Sequence, residues 1–360
     1  MLVTGRVIQR GLSNVGSIPQ FNWDPAGDNV VVGPDVQWRP RPTDAFTGQA
    51  LWSRSHTPRR PDPTIEWDGC ELSDHAAQLG WSHSGNHADW YLQGQDIGDE
   101  FRADDGFIPQ VGYREGYAEA GYTVRPQDTF LSRVRMFSIN SYDAGLNGDA
   151  LSQRITVGAG MDGRWNSFCR IALNRENFRV GEAWLQRFRP RIQLQASPGR
   201  VLNSITVDAY VGDEIDFANG RKGSGATLLN SALVRPNAHL ELRGNANVRW
   251  LNVRDATGES GRLFIATVER LRATWSFNSR SFIRVINQYV ETRREPARYL
   301  FPVGDKSADF GASALFAYKL NWQTVLFAGY GDSRTFDDTS NRLERSGNQA
   351  FTKVSYALQQ

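Results

Sequence analysis

The sequence contains no apolar run approaching the roughly 18 residues that a membrane-spanning helix needs. Heptad repeats and long amphipathic helical stretches are also missing, which argues against coiled coils and helical bundles. Cysteine is scarce, with Cys70 and Cys169 alone among 360 residues. This scarcity is typical of a cell-envelope protein that does not depend on disulfides. An excess of one charge is also missing, because 41 Lys+Arg stand against 39 Asp+Glu, and we predict no nucleic-acid partner.

Recognisable catalytic motifs are absent too. The sequence has no Gly-x-Ser-x-Gly, phosphate-binding loop or His-Glu-x-x-His pattern, and no nucleophile–base set stands out. One acidic cluster lies within residues 68–75, but its spacing matches no zinc or calcium pattern. An aspartate pair at residues 104–105 favours a capped turn over a calcium site. We therefore assign no catalytic residue, cofactor or metal ligand, and leave open whether any hydrolase activity exists.

Aromatic residues and glycine are abundant in this otherwise polar chain. The sequence has 11 Trp, 11 Tyr, 19 Phe and 34 Gly, although only 40% of its residues are hydrophobic. Two classes of protein combine these features. One is the transmembrane β-barrel, polar inside and apolar outside. The other is a large soluble β-protein.

A strict alternation of apolar and polar residues favours the barrel. Successive side chains of a strand point to opposite faces. Residues 238–252 alternate over a length that crosses a bilayer at a tilt. One face would carry Leu240, Leu242, Gly244, Ala246, Val248 and Trp250, and the other Glu241, Arg243, Asn245, Asn247 and Arg249. The same pattern recurs in residues 29–38, 87–95, 165–174 and 353–358.

The connections between these segments alternate in predicted length. Short turns rich in Gly, Pro, Asn or Asp separate longer polar stretches at residues 96–109, 176–182, 212–225, 255–261, 294–307 and 333–348. We therefore predict an all-β fold: a single transmembrane, antiparallel, up-and-down β-barrel over residues 1–360. The count is about 18 strands, or 16 if residues 2–8 and 47–55 are not strands.

Two groups of side chains are candidate functional residues. Five tryptophans near the short turns predict a girdle at the membrane interface, with cross-strand packing in a soluble sheet as the alternative: Trp38, Trp81, Trp165, Trp275 and Trp322. The alternation would point nine charged residues into the lumen: Arg170, Arg243, Arg249, Arg270, Arg272, Arg284, Glu119, Glu241 and Glu269. These charges would either set the ion selectivity of an open pore or pair with each other and fill the lumen.

Four short segments resemble a known family. They are Phe-Arg-Ala-Asp-Asp-Gly-Phe-Ile-Pro at residues 101–109, the tyrosine-rich residues 113–122, Asn-Trp-Gln-Thr-Val-Leu-Phe-Ala-Gly-Tyr at residues 321–330, and the closing residues 349–356. Together they resemble the barrel region of the bacterial family called domain of unknown function 5916. The resemblance covers most of the chain. It implies a signal peptide and an upstream β-sandwich akin to family 9 carbohydrate-binding modules, and some members are labelled membrane-associated hydrolases.

The first residues show neither a signal peptide nor such a sandwich, so we expect a piece of a longer protein. We predict a protein of the Gram-negative cell outer membrane that contacts lipid and the barrel-assembly machinery. It would act as a membrane anchor or passive conduit, and would meet carbohydrate through the upstream domain. The alternative is a secreted soluble β-protein whose long loops bind or hydrolyse glycans.

Overall fold

The computed structural model describes residues 2–12, 28–57, 68–104, 106–127, 129–254 and 258–357. In these ranges the chain forms eighteen β-strands and one turn of 3-10 helix, Pro296–Arg298. The first nine strands are β1 (Leu2–Leu12), β2 (Asp28–Arg41), β3 (Asp44–His56), β4 (Glu71–Ser84), β5 (Ala88–Ile97), β6 (Tyr113–Val124), β7 (Leu131–Gly145), β8 (Ala150–Gly163) and β9 (Ser167–Val180). The others are β10 (Ala183–Ala196), β11 (Leu202–Asp216), β12 (Arg221–Val234), β13 (Leu240–Arg254), β14 (Ser260–Asn278), β15 (Ser281–Arg294), β16 (Lys306–Lys319), β17 (Thr324–Asp337) and β18 (Arg342–Tyr356).

The strands form one antiparallel sheet. Each strand from β1 to β17 is hydrogen-bonded to the next along the chain. This connectivity is that of an up-and-down β-barrel, so the predicted fold class is confirmed. Residues 2–8 lie in β1 and residues 47–55 lie in β3, which favours eighteen strands over sixteen in the described chain. No helix in the described ranges is both long and apolar enough to span a membrane.

The chain divides into two compact units. Unit 1 comprises Met1–Val124, Met136–Val157 and Glu176–Arg179. It holds β1 to β6 and parts of β7 to β9. Unit 2 comprises Arg125–Arg135, Gly158–Arg175 and Val180–Gln360, and it holds β10 to β18 with the remainder of those three strands.

Several strands are longer than the sequence pattern predicted. The connections predicted at residues 176–182, 212–225 and 333–348 are shorter in the structure, where they comprise residues 181–182, 217–220 and 338–341. Their polar composition predicted loops along their whole length, and that prediction was wrong. Pairing of backbone groups does not require apolar side chains, so these hairpins continue where both faces are polar. The connections at residues 98–112 and 295–305 are long, as predicted.

The register gives the sheet of unit 2 two chemically different faces. Cross-strand partners lie on the same face of an antiparallel pair. Arg191 lies opposite Tyr210, and we call their side the polar face. Leu194 lies opposite Val207 on the apolar face. On that apolar face Ile192 and Leu194 are 40% and 41% exposed, which is unusual for two neighbouring large apolar side chains.

The same division holds in unit 1. Asn29 lies opposite Ser55, and Val31 lies opposite Ser53. All four side chains are buried, and theirs is the polar face of this unit. The exposed Val32 and Trp52 are paired on the opposite, apolar face.

Candidate functional site

The most deeply buried charge in the described chain is Glu214 on β11. Its side chain has no exposure to solvent. It accepts hydrogen bonds from Arg189 Nη1 at 2.8 Å and Arg187 Nη1 at 3.3 Å. Arg249 Nη2 lies 3.8 Å away and completes a cage of three guanidinium groups. A carboxylate removed from water is stable only when it is paired in this manner.

The spacing of arginines on β10 builds this cage. Arg187, Arg189 and Arg191 are two residues apart, so their side chains share the polar face of a strand. Gly212 on β11 adopts a φ of +134°, which favours glycine. A Cβ atom there would lie 2.6 Å from the carbonyl oxygen of Phe188. Glycine therefore permits the close approach of β10 and β11 beside Glu214.

A second carboxylate orders the remaining arginine of β10. Arg191 forms a bidentate pair with Asp208, with its Nε 2.8 Å from Oδ1 and its Nη2 2.6 Å from Oδ2. The ring of Tyr210 lies beside two guanidinium groups, 4.6 Å from Arg189 Cζ and 4.9 Å from Arg191 Cζ. These cation–π contacts hold the arginines in defined positions along the polar face.

Another cluster surrounds Glu241 at the start of β13. Glu241 accepts hydrogen bonds from Arg235 Nη2 at 2.7 Å and Arg272 Nη2 at 3.1 Å. Glu241 and Arg272 are both in the set of predicted lumen-facing charges, and the structure pairs them. Arg272 also lies directly opposite Arg243 in the register of β13 and β14, so Glu241 offsets the charge of two neighbouring arginines.

The other predicted arginines can be placed from the register. Arg270 lies opposite Asn245, and Arg284 lies opposite Thr274, on the face that carries Arg243 and Arg249. Within the part of the chain that the structure describes, neither Arg243 nor Arg270 has an ion-pair partner. Arg170 lies on β9, on the face opposite to the exposed Ile171.

The prediction for Glu269 requires correction. Glu269 lies opposite Ala246 on one side and Tyr289 on the other, so it shares the apolar face with Leu271. Adjacent residues of one strand cannot face the same way, and Arg270 occupies the polar face. The error arose from the charge pattern of β14, where Glu269, Arg270 and Arg272 give no clean alternation.

Glu119 lies on β6 in unit 1, beside two tyrosines. It is opposite Tyr91 in the register and accepts a hydrogen bond from Tyr117 Oη at 2.9 Å. The rings of Tyr91 and Tyr117 lie 5.9 Å apart. Gln93, next but one to Tyr91, accepts a hydrogen bond of 2.6 Å from its hydroxyl.

The five tryptophans lie in two kinds of surroundings. Trp38 and Trp81 stack on the two sides of Phe46, with ring centroids 5.3 Å and 5.5 Å apart, which is cross-strand packing. The other three lie in unit 2, where Trp165 and Trp322 are in short turns and Trp275 is within β14, and all three are exposed, as is Trp38. Exposed indoles beside turns are typical of a membrane interface.

Sequence reasoning missed most of the Glu214 cage. Arg249 was predicted to face the lumen, but the arginines of β10 were not singled out. Glu214 fell within a predicted connection, so its facing was not considered. The spacing Arg187-x-Arg189-x-Arg191 was the available signal, because three arginines on one face of a strand need counter-charges nearby.

The acidic cluster of residues 68–75 spans the start of β4, with Asp68 and Cys70 just before that strand. Asp68 accepts hydrogen bonds from Thr57 Oγ1 at 3.1 Å and from the Cys70 backbone N–H at 3.0 Å. A hydrogen bond with the Cys70 thiol lowers the pKa of the Asp68 carboxyl. The same contact raises the pKa of the Cys70 thiol. Among the described residues, no group of three or more His, Cys, Asp or Glu side chains is arranged to hold a metal ion.

Known proteins match this chain in backbone structure. No protein-family model and no curated protein matches this sequence. The chain is similar to the siderophore receptor PirA from Acinetobacter baumannii, with a TM-score of 0.47 and 8% identity over 91% of this chain and 64% of that one. It is also similar to a mutant of the ferric enterobactin receptor PfeA from Pseudomonas aeruginosa, with a TM-score of 0.41 and 10% identity over 96% and 72% of the two chains. The chain therefore spans less than two thirds of PirA.

Proposed function

We propose that this chain is a barrel of the Gram-negative outer membrane and a conduit for small solutes, with a preference for anions. One observation carries the proposal: from β10 to β14, one face of the sheet is rich in arginine and the opposite face carries exposed apolar side chains. In a barrel that crosses a membrane the two faces have different solvents, lipid outside and water inside. The arginine-rich face then lines the lumen.

The apolar face supports the membrane location. Ile192, Leu194, Ile205 and Leu271 are large apolar side chains of this face, and all are exposed. Apolar surface in contact with water is unfavourable by about 25 cal/mol per Å². Lipid contact removes this penalty, and an up-and-down barrel pairs the backbone groups that lipid cannot satisfy.

The arrangement of charges supports a preference for anions. Glu214 and Asp208 neutralise part of the β10 arginines and fix their positions. Arg243 and Arg270 add positive charge without an ion-pair partner in the described chain. Rings or rows of fixed charge on a lumen wall favour counter-ions over ions of like charge.

Reversal potentials in planar bilayers test this function. We expect the refolded chain to conduct and to favour chloride over potassium in a salt gradient. The double variant Arg243→Gln/Arg270→Gln should lose much of that preference. Arg342→Gln is the matched control, because this exposed arginine near the β17–β18 turn pairs only with Glu344 in the described chain. A refolded chain without conductance, or one that stays in the aqueous phase of a detergent separation, would contradict the proposal.

The anchor role is a second component of the proposal, and it rests on the resemblance to domain of unknown function 5916. In that reading the barrel tethers an upstream carbohydrate-binding domain to the membrane. The two roles differ in a measurable way. Conductance without an upstream domain favours the conduit, whereas retention of a fused soluble domain on cell surfaces by a silent barrel favours the anchor.

A further inference from the structure

The connection between β5 and β6 folds back onto the sheet of unit 1. We call it the wall loop, and define it by the described residues 98–104 and 106–112. Its base is narrow, because the Gly112 N–H donates to the carbonyl oxygens of Ile97 at 3.1 Å and Gly98 at 3.2 Å. Gly112 has a φ of +74°, which favours glycine at this crossing point. Loops with such closed ends are compact units whose own side chains pack beneath them.

A buried phenyl ring attaches the wall loop to the sheet. Phe101 is 2% exposed and packs with Val31 and Ile97, which are themselves buried. Ile108, on the returning side of the loop, packs against the same cluster. Both arms of the loop are therefore held by apolar contact.

A buried asparagine on β2 attaches the backbone of the loop. The Asn29 amide donates to the Arg102 carbonyl oxygen at 3.1 Å and to Ser55 Oγ at 2.6 Å. Asn29 Oδ1 accepts from the Asp104 backbone N–H at 3.2 Å. Its donors and its acceptor are thus all engaged, as a buried polar side chain requires.

Two further strands contribute hydrogen bonds. Ser53 Oγ on β3 accepts from the Arg102 backbone N–H at 3.1 Å. Asp74 Oδ2 on β4 accepts from the Glu100 backbone N–H at 3.1 Å. The loop is therefore fixed across β2, β3 and β4. Ser53 and Asp74 are register partners, so both side chains lie on the polar face.

We propose that the wall loop is a fixed constriction that sets the upper size of the solutes admitted. This inference rests on the proposed function, which makes the polar face the lining of the conduit. A loop held by a buried phenyl ring and by side chains of three strands occupies that face permanently and reduces the open cross-section. The loop also carries the Arg102–Asp104 ion pair, with 3.3 Å between Nη2 and Oδ1. The passage that the loop narrows is therefore polar.

Removal of the loop is the main test. Residues 100–110 are replaced by two glycines, which keeps Gly98 and Gly112 as the hydrogen-bonded base. The full chain is refolded, and its single-channel conductance and the largest sugar that permeates liposomes are measured. We expect conductance to rise ~2-fold or more and larger sugars to pass, because a wider lumen carries more current. Removal of residues 302–304 from the β15–β16 connection is the control, and it should change neither value.

The outcomes separate this inference from the proposed function. If the parent chain conducts and the shortened chain behaves identically, the constriction is overturned while the conduit stands. If neither chain conducts, the conduit fails and the constriction fails with it. If only the shortened chain conducts, the loop closes the lumen instead of setting a size limit, and both the conduit and the size-setting constriction are overturned.

A milder variant keeps the test decisive if the shortened chain does not fold. Asn29→Ala/Ser53→Ala removes side-chain hydrogen bonds from the loop but leaves every strand intact. A freed loop should give a noisier current with transient openings above the parent level. An unchanged, quiet current in a heat-modifiable, folded variant overturns the inference.

Discussion

Arg243 of β13 lies directly opposite Arg272 of β14, so two cations are neighbours on one face of the sheet. Like charges in such positions destabilise a strand pair. Glu241 offsets the repulsion through its 3.1 Å contact with Arg272, and it also binds Arg235. This acidic side chain therefore holds together the basic residues at the short-turn end of β13.

Replacement of this carboxylate tests its importance. We expect Glu241→Gln to lower the free energy of unfolding by about 1–2 kcal/mol, because charge-assisted hydrogen bonds are lost and three arginines keep their charge. Urea unfolding in lipid vesicles at low and high salt measures the change, and added salt should reduce it. Glu344→Gln, which affects an exposed pair with Arg342, should change stability by less than about 0.5 kcal/mol. Equal effects at the two sites would contradict the argument.

Replacement of Glu214 should lower the free energy of unfolding more than replacement of any exposed carboxylate. The loss of Glu214 removes a fully buried carboxylate that contacts both Arg187 and Arg189. Breaking a buried ion pair in this way destabilises a protein by about 3 kcal/mol or more. We expect Glu214→Gln to show that loss in urea unfolding.

The neighbouring residue provides the matched control. Asp213 lies on the opposite face and forms an exposed pair with Lys222 at 2.8 Å. Asp213→Asn keeps an oxygen that can accept from the Phe188 N–H, so it should have little effect. The prediction fails if the two variants unfold at the same urea concentration.

The assigned faces of β13 predict which positions tolerate a charge. Leu242→Arg or Ala246→Arg would place a guanidinium in lipid, where it is unfavourable by about 2–4 kcal/mol near the bilayer midplane. We expect these variants to fail in membrane assembly, measured by heat-modifiable migration on gels. Asn245→Arg and Asn247→Arg lie on the polar face and should assemble normally. Equal behaviour of all four variants would contradict the assignment.

Sequence alternation predicted the fold because the period of a strand is fixed by its geometry. The alternation in β13 was clear enough to assign faces that agree with its register. Strand ends were not predictable, because hairpins such as β11–β12 continue through polar residues without an apolar signal. The β10 arginines were missed since their partner, Glu214, comes 25 residues after Arg189, and only the pairing of β10 with β11 brings them together. The wall loop depends on long-range contacts of the same kind.

Glu269 offers a stabilising substitution. Its carboxylate lies on the apolar face between Ala246 and Tyr289, where a lipid environment disfavours charge. We expect Glu269→Leu to raise the free energy of unfolding in vesicles by about 1 kcal/mol, because acidic residues are penalised less than Arg or Lys in lipid. Glu269→Gln should give a smaller gain. A loss of stability in Glu269→Leu would indicate that this face binds a protein surface instead of lipid.

The labelling rate of the Cys70 thiol tests its hydrogen bond with Asp68 in the connection between β3 and β4. The thiol is exposed, and its hydrogen bond with Asp68 raises its pKa, so less thiolate is present at a given pH than in a free cysteine. Only the thiolate attacks a maleimide. We expect slow labelling of Cys70 near neutral pH. The labelling rate should rise with pH, and the midpoint of this rise should lie at a higher pH than for a free thiol. Asp68→Asn should shift the midpoint to lower pH and speed labelling.

The half-buried Cys169 on β9 must be removed first, so the measurement uses a Cys169→Ser background. Glu71→Gln is the control for charge, because it removes a nearby carboxylate that pairs with Arg54 and has no part in the shift at Cys70. If Asp68 acts through its direct contact, Asp68→Asn changes the midpoint and Glu71→Gln leaves it in place. Equal shifts in both variants would mean that the general negative potential of the loop controls the thiol, and that the hydrogen bond does not.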